Sequence, residues 1–244
     1  MSSPNSSEKQ PATKTSASSA LKPQKPIQAS AIYTFVPNQI GFLRVVLMLA
    51  SLFTMQHHPK FTMCCLYSTS CLLDAFDGYA ARKYGQSTKF GAVLDMVTDR
   101  CSTCSLIVYL GVIYPQWFIA WQLLISLDLA SHYIHMYAQI SSGSNSHKTL
   151  KKDTNVLLRL YYENRTVLFL VCALNELFYM AVYLDYYDFV KLPFIGISFP
   201  RLLVYVSTPV WAFKQFMNVI QLMNACNMLA EMDAKNYNEI NKLN

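Results

Sequence analysis

The chain has 244 residues, of which 53% are hydrophobic and only 14% charged, with a net charge of +6. Soluble domains carry about 25% charged residues, so the shortfall excludes an ordinary water-soluble enzyme and points to a chain embedded in lipid. The seven cysteines fall mostly within apolar runs and read as buried thiols, not as a disulfide framework.

Residues 1–30 are rich in Ser, Pro, Lys, Ala and Gln and contain no apolar run. They lack the hydrophobic core of a secretory signal and read as a disordered tail outside the membrane. Residues 31–232 are expected to form one transmembrane catalytic domain, and residues 233–244 a cytosolic C-terminal tail. Within that domain six apolar spans run approximately over 38–55, 61–81, 90–113, 116–140, 166–185 and 201–229. Each approaches or exceeds the ~20 residues needed to cross a bilayer, which predicts an all-α bundle of six transmembrane helices. Pro37, Pro59, Pro115 and Pro200 stand at the starts of spans, where a missing N–H costs least.

Lys and Arg set the orientation. Lys9, Lys14, Lys22 and Lys25 in the tail fall on one side, with Arg82, Lys83 and Lys89 in the second-to-third turn. Lys148, Lys151, Lys152, Arg159 and Arg165 of the long loop join them, as do Lys235 and Lys242. Only Lys60 and Lys191 fall opposite, so both termini are expected in the cytosol. Asn5 and Asn164 sit in glycosylation-type sequences but on that orientation stay unmodified.

Four aspartates interrupt this apolar pattern: Asp74 and Asp77 on the second span, Asp95 and Asp99 on the third. Left unpaired at mid-membrane they would cost roughly 10–14 kcal/mol together. At ~1.5 Å per residue, Asp77 and Asp95 both lie ~7–8 Å below the cytosolic ends of their helices, while Asp74 and Asp99 lie ~12–13 Å down. The i,i+3 and i,i+4 spacings keep each pair on one face. Matched depth on antiparallel helices predicts a cytosol-facing pocket in which 77 meets 95 and 74 meets 99. All-carboxylate ligation suits Mg²⁺ or Mn²⁺, and two such ions close together can assist a phosphoryl displacement. A salt-bridge cluster with Arg82 and Arg100 is the alternative, but four acids against two bases leave an uncancelled surplus.

The stretch from Asp74 to Asp99 reads D-x-x-D-G-x-x-A-R-x₈-G-x-x-x-D-x-x-x-D, with Gly78, Ala81, Arg82 and Gly91 between the acids. This is the signature of the CDP-alcohol phosphotransferases, which the chain resembles at every fixed position. From about residue 33 onward it is most similar to the inositol-using eukaryotic members of that family. Phe35-Val-Pro-Asn38-Gln-Ile-Gly41-Phe-Leu-Arg44, Thr98–Thr103, Ser126–His132, Gly143–Lys148 and Asn175–Tyr179 carry that likeness.

The resemblance implies that Asp74, Asp77, Asp95 and Asp99 hold two metal ions and that Asp99 is also the catalytic base. It implies that Gly78, Ala81, Arg82 and Thr88 contact the CDP part of CDP-diacylglycerol, with Asn38 and Arg44 approaching its diphosphate. The implied reaction transfers a phosphatidyl group to myo-inositol and releases CMP, in an enzyme of the endoplasmic reticulum membrane that forms a homodimer. No nucleic-acid partner is expected.

A polyol acceptor requires polar groups at the depth of the deep acids. Asp128, Ser131, His132 and His135 share one face of the fourth span, and Asn175 and Glu176 lie ~14 Å along the fifth. Ser131, His132 and Asn175, with Lys148 from the loop, are therefore candidates for the inositol pocket. The competing reading makes them interhelical hydrogen bonds. Glycerol phosphate or serine as acceptor is the alternative within the family, and a cation-coupled transporter the alternative from another class.

Overall fold

The computed structural model describes residues 27–142, 164–187, 192 and 196–242, and its described elements are all helical. A short α1 (Ala29–Tyr33) leads into α2 (Val36–Thr54), which begins with Pro37 in its first turn. A continuous helical rod then starts at α3 (Pro59–Phe61), passes through a π-helical stretch at Thr62–Tyr67 and continues as α4 (Ser68–Lys83). α5 (Lys89–Ile113) follows, then a 3₁₀ turn at Pro115–Trp117, α6 (Phe118–Ser141), α7 (Arg165–Tyr186) and the long α8 (Phe199–Lys242).

Helix thus occupies each of the six predicted stretches. The last one continues well past residue 229, through most of the expected C-terminal tail, as an exposed helical extension. Among the described residues three helices are long and apolar enough to cross a membrane: Val36–Thr54, Lys89–Ile113 and Thr166–Tyr186. α4 is too short and too charged to qualify alone, carrying Asp74, Asp77, Arg82 and Lys83 in its 16 residues. Large apolar side chains lie on the surface and many polar ones in the interior, unlike a soluble protein. Phe53, Val112, Ile119 and Leu72 are exposed, whereas Asn38, Arg44, Asp128, Ser131, Asn175, Lys214 and Gln221 are buried. Such an arrangement is stable in lipid, where the apolar faces need no shielding and the polar groups must find one another.

α5 is central, packing against α2, α6 and α7, while α8 closes the other side against α6 and α7. α2 packs on both α4 and α5, and the two acid-bearing helices share little direct contact of their own. The expectation of two neighbouring acidic helices is corrected here: α2 is wedged between them. The wedge enters closely because Gly91 lacks a side chain. A Cβ there would stand 2.7 Å from Asn38 Oδ1 on α2, inside van der Waals contact. An apolar cluster of Met55, Met63, Tyr67, Leu106, Leu110, Trp121, Phe178 and Tyr183 gathers at the end of the bundle away from the α4–α5 turn. There Trp211 stacks on Phe178 with ring centroids 4.6 Å apart.

The α4–α5 turn fixes the register of the acids. Gly85 at φ 62° ends α4, and Gln86 N–H returns to Ala81 O at 2.9 Å, closing a Schellman motif. Thr88 Oγ1 then accepts Gly91 N–H at 3.0 Å as the N-cap of α5, and Gln86 Oε1 accepts Val36 N–H at 3.0 Å from the start of α2. A single turn therefore ties three helix ends together. Gly85→Ala is expected to destabilise the fold by about 1 kcal/mol, read as a lower melting temperature in nanodiscs. An unchanged melting temperature would show that the turn does not hold the register.

Candidate active site

The four aspartates meet around one side chain. Arg44, 2% exposed, projects from α2 into the gap between α4 and α5. Its Nη1 lies 2.7 Å from Asp77 Oδ2 and 2.7 Å from Asp95 Oδ1. Its Nη2 lies 2.9 Å from Asp74 Oδ1 and also bonds Asp99 Oδ1. The guanidinium thus sorts the acids into a shallow pair, 77 with 95, and a deep pair, 74 with 99, the pairs expected from helix depth alone. Asp77 is the most enclosed, with 9% of its side chain exposed, whereas Asp74, Asp95 and Asp99 keep 38%, 44% and 31%.

Four carboxylates against one guanidinium leave the well strongly negative. Ligand oxygens of Asp74, Asp95 and Asp99 all lie within 4.8 Å of one another. An all-oxygen donor set with surplus negative charge fits a hard divalent cation, and no softer ligand joins it among the described residues. Arg100 relieves little of the surplus. Its Nη1 grips Asp128 at 2.8 and 3.0 Å, and its Nη2 stands 3.7 Å from Asp99 Oδ2. Arg82 forms no ion pair among the described residues and is free to meet a ligand.

These groups line a cavity of about 850 Å³ between the α2–α4–α5 side and the α7–α8 side. Of the predicted site residues, Arg44, Asp74, Asp77, Gly78, Arg82, Asp95, Asp99 and Asn175 line it. Gly78 lies beneath the Arg82 guanidinium, whose Nη1 is 3.4 Å from where its Cβ would be. Ala81 and Thr88 belong to the closing turn already described, and Asn38 Nδ2 donates to Ile32 O at 2.6 Å. The buried Asn38 Oδ1 has no hydrogen-bond partner among the described residues, which leaves an acceptor facing the α2–α5 crossing.

Ser131 and His132 do not line the cavity. Ser131 Oγ donates to Asp128 O at 3.0 Å, and His132 Nδ1 lies 2.8 Å from the same carbonyl. Gln221 Nε2 of α8 reaches Ser131 O at 3.4 Å. The pair stands one layer behind the cavity, behind the Arg100–Asp128 bridge. Lys148 lies outside the described residues. Sequence reasoning missed two lining cations, Arg44 as the partner of the acids and Lys214 of α8. Their only signal was a lone charge inside an apolar run.

The model of the CDP-alcohol phosphatidyltransferase family matches residues 34–184, a segment that contains every acid of the well and Arg44. The chain is 53% identical over 227 residues to the CDP-diacylglycerol–inositol 3-phosphatidyltransferase of Candida albicans, covering 93% of this chain and 94% of that one. It is 48% identical to the protein of the same name from Saccharomyces cerevisiae, over 92% of this chain and 99% of that one. Against the human protein of that name the identity is 43%, over 83% and 94%. No solved structure matches the chain. Sequence match and assembled acidic well agree, and the chain belongs to the CDP-alcohol phosphatidyltransferase family.

Proposed function

We propose that this enzyme transfers the phosphatidyl group of CDP-diacylglycerol to myo-inositol, giving phosphatidylinositol and CMP. The observation that carries the reading is 53% identity across 94% of a relative named for that reaction. The cavity supports it, because one side offers acids and Arg82 to a nucleotide diphosphate and the other offers polar side chains to an alcohol.

The inositol hydroxyl oxygen attacks the phosphorus that bears diacylglycerol, the bond from that phosphorus to the CMP oxygen breaks, and CMP departs as the anion. Asp99 accepts the hydroxyl proton. Arg82 presents a planar fork to the CDP phosphates, and Gly78 permits close backbone approach beside it. Ala81 and Thr88 complete the nucleotide side, while Asn38 and Arg44 approach the diphosphate. Asp74, Asp77, Asp95 and Asp99 would hold Mg²⁺ or Mn²⁺, two ions on the family resemblance, which when bound stabilises charge on the attacking and leaving oxygens. Asn175 faces the acceptor, and Ser131 and His132 position it from behind through Asp128 and Arg100. Lys148 joins from the loop.

The remaining readings rest on charge and resemblance. The chain crosses the endoplasmic reticulum membrane six times with both termini and the site cytosolic, and it pairs as a homodimer. Purified protein with CDP-diacylglycerol and Mn²⁺ is expected to release CMP with myo-inositol and not with glycerol phosphate or serine. Release with another alcohol in place of inositol would move the acceptor. Release with none would remove the transferase reading and favour a cation-coupled transporter.

A further inference from the structure

The wall facing the acidic well is built from α7 and α8 and carries a connected set of polar groups. Lys214 is 4% exposed, and its Nζ donates to Asn218 Oδ1 at 2.6 Å. Asn218 Nδ2 approaches Gln215 Oε1 at 3.5 Å, and Gln215 Nε2 donates to Asn175 Oδ1 at 3.0 Å. The chain continues to Glu176, whose Oε1 accepts Thr103 Oγ1 at 2.8 Å and whose Oε2 accepts Tyr67 OH at 3.0 Å. Lys214, Asn175 and Glu176 all line the cavity that also contains Asp99.

A buried ammonium in a membrane helix is expensive, and Lys214 forms no ion pair among the described residues to offset it. Its headgroup has three N–H donors. Asn218 takes one, which anchors the side chain and leaves donor capacity toward the cavity. Beside it the Glu176 carboxylate is a pure acceptor, and the Asn175 amide supplies both kinds of group. Donors and acceptors set side by side suit a ligand whose every hydroxyl both gives and takes a hydrogen bond. On this wall Glu176 stands beside Lys214, so among the described lining residues of α7 and α8 no surplus positive charge is offered to an acceptor with its own phosphate or carboxylate. The family match ends at residue 184, and α8 lies beyond it. Chemistry that distinguishes one acceptor from another has room there.

We propose that the Lys214–Asn218–Gln215–Asn175 network, with Glu176, is the polyol half of the cavity, and that Lys214 is its specificity-determining donor. This assignment deepens the proposed phosphatidyl transfer and rests on it. Asn218 and Gln215 are positioning residues that act through Lys214 and Asn175.

The test uses the full chain in phosphatidylcholine nanodiscs with CDP-diacylglycerol, Mn²⁺ and myo-inositol. Lys214→Met is expected to raise the inositol KM about tenfold or more, the cost of losing a charged hydrogen-bond donor. The CDP-diacylglycerol KM should stay within about twofold, because the substitution removes nothing from the nucleotide side. The melting temperature should hold, since Met fills the space without a charge to bury, and Lys214→Arg should recover part of the inositol affinity. An unchanged inositol KM, or an equal rise in both KM values, overturns the assignment. Should Lys214→Met fail to fold, Asn218→Leu releases the anchor and must show the same split between the two substrates. CMP release by the unsubstituted chain separates the two levels. If it occurs with inositol and the variants leave KM unmoved, only the Lys214 assignment falls. If it never occurs, phosphatidyl transfer falls and the assignment with it.

Discussion

Asp99→Asn is expected to lower kcat for CMP release by roughly a thousandfold, the scale of losing a positioned base that also serves as a cation ligand. Asn keeps the size and polarity of the side chain but neither accepts the hydroxyl proton nor contributes negative charge. Stability should move the other way. Four carboxylates share one guanidinium at this point, so deleting one negative charge relieves repulsion, and the melting temperature should hold or rise. Activity within tenfold of the unsubstituted enzyme would remove Asp99 from the chemistry. A collapsed melting temperature would show that the residue supports the fold instead.

Arg44→Met should produce the largest change in stability. Met approximates the buried volume but leaves four acids with no cation between them, and Asp77 is nearly enclosed. Breaking a fully buried ion pair costs about 3–5 kcal/mol; with three of these four acids 31–44% exposed, about 2–4 kcal/mol is expected. Excess Mn²⁺ should return much of that loss, by about 2.7 kcal/mol at a hundredfold excess over its Kd. The readout is the melting temperature with and without the cation, independent of turnover. Equal melting temperatures for Arg44→Met and the parent without the cation would show that Arg44 is not the counter-charge of the well.

The contrast between these residues and those of the acceptor side marks what the sequence makes legible. Depth is legible, because rise per residue is constant. The pairing of Asp77 with Asp95 and of Asp74 with Asp99 follows from counting inward along two helices, and the Arg44 nitrogens divide them that way. Rotation about the helix axis relative to a third helix is not legible. Ser131 and His132 lie on the same helix as Asp128, yet face its Arg100 bridge and α8 rather than the cavity. The family resemblance placed Arg44 near the diphosphate, but its ion pairs with the four acids were not legible, because a lone Arg in an apolar run looks the same whether it awaits a ligand or pairs with acids. Lys214 went unassigned for a related reason. α8 runs 44 residues without a clean apolar stripe, so nothing in its spacing says which side faces inward. The helix starts were legible, since proline marks the opening turns at residues 37, 59 and 115.

The wedging of α2 between the acid-bearing helices has a consequence for biogenesis. α2 is synthesised before both acid-bearing helices and is apolar enough to enter lipid unaided, carrying its one cation with it. The acid-bearing α4 that follows is too polar to remain there by itself, so its retention depends on the preceding helix still being close when it leaves the translocon. Substitutions at Arg44 should therefore lower the amount of membrane-integrated protein in cells, by exposing an uncompensated segment to quality control before any substrate is met.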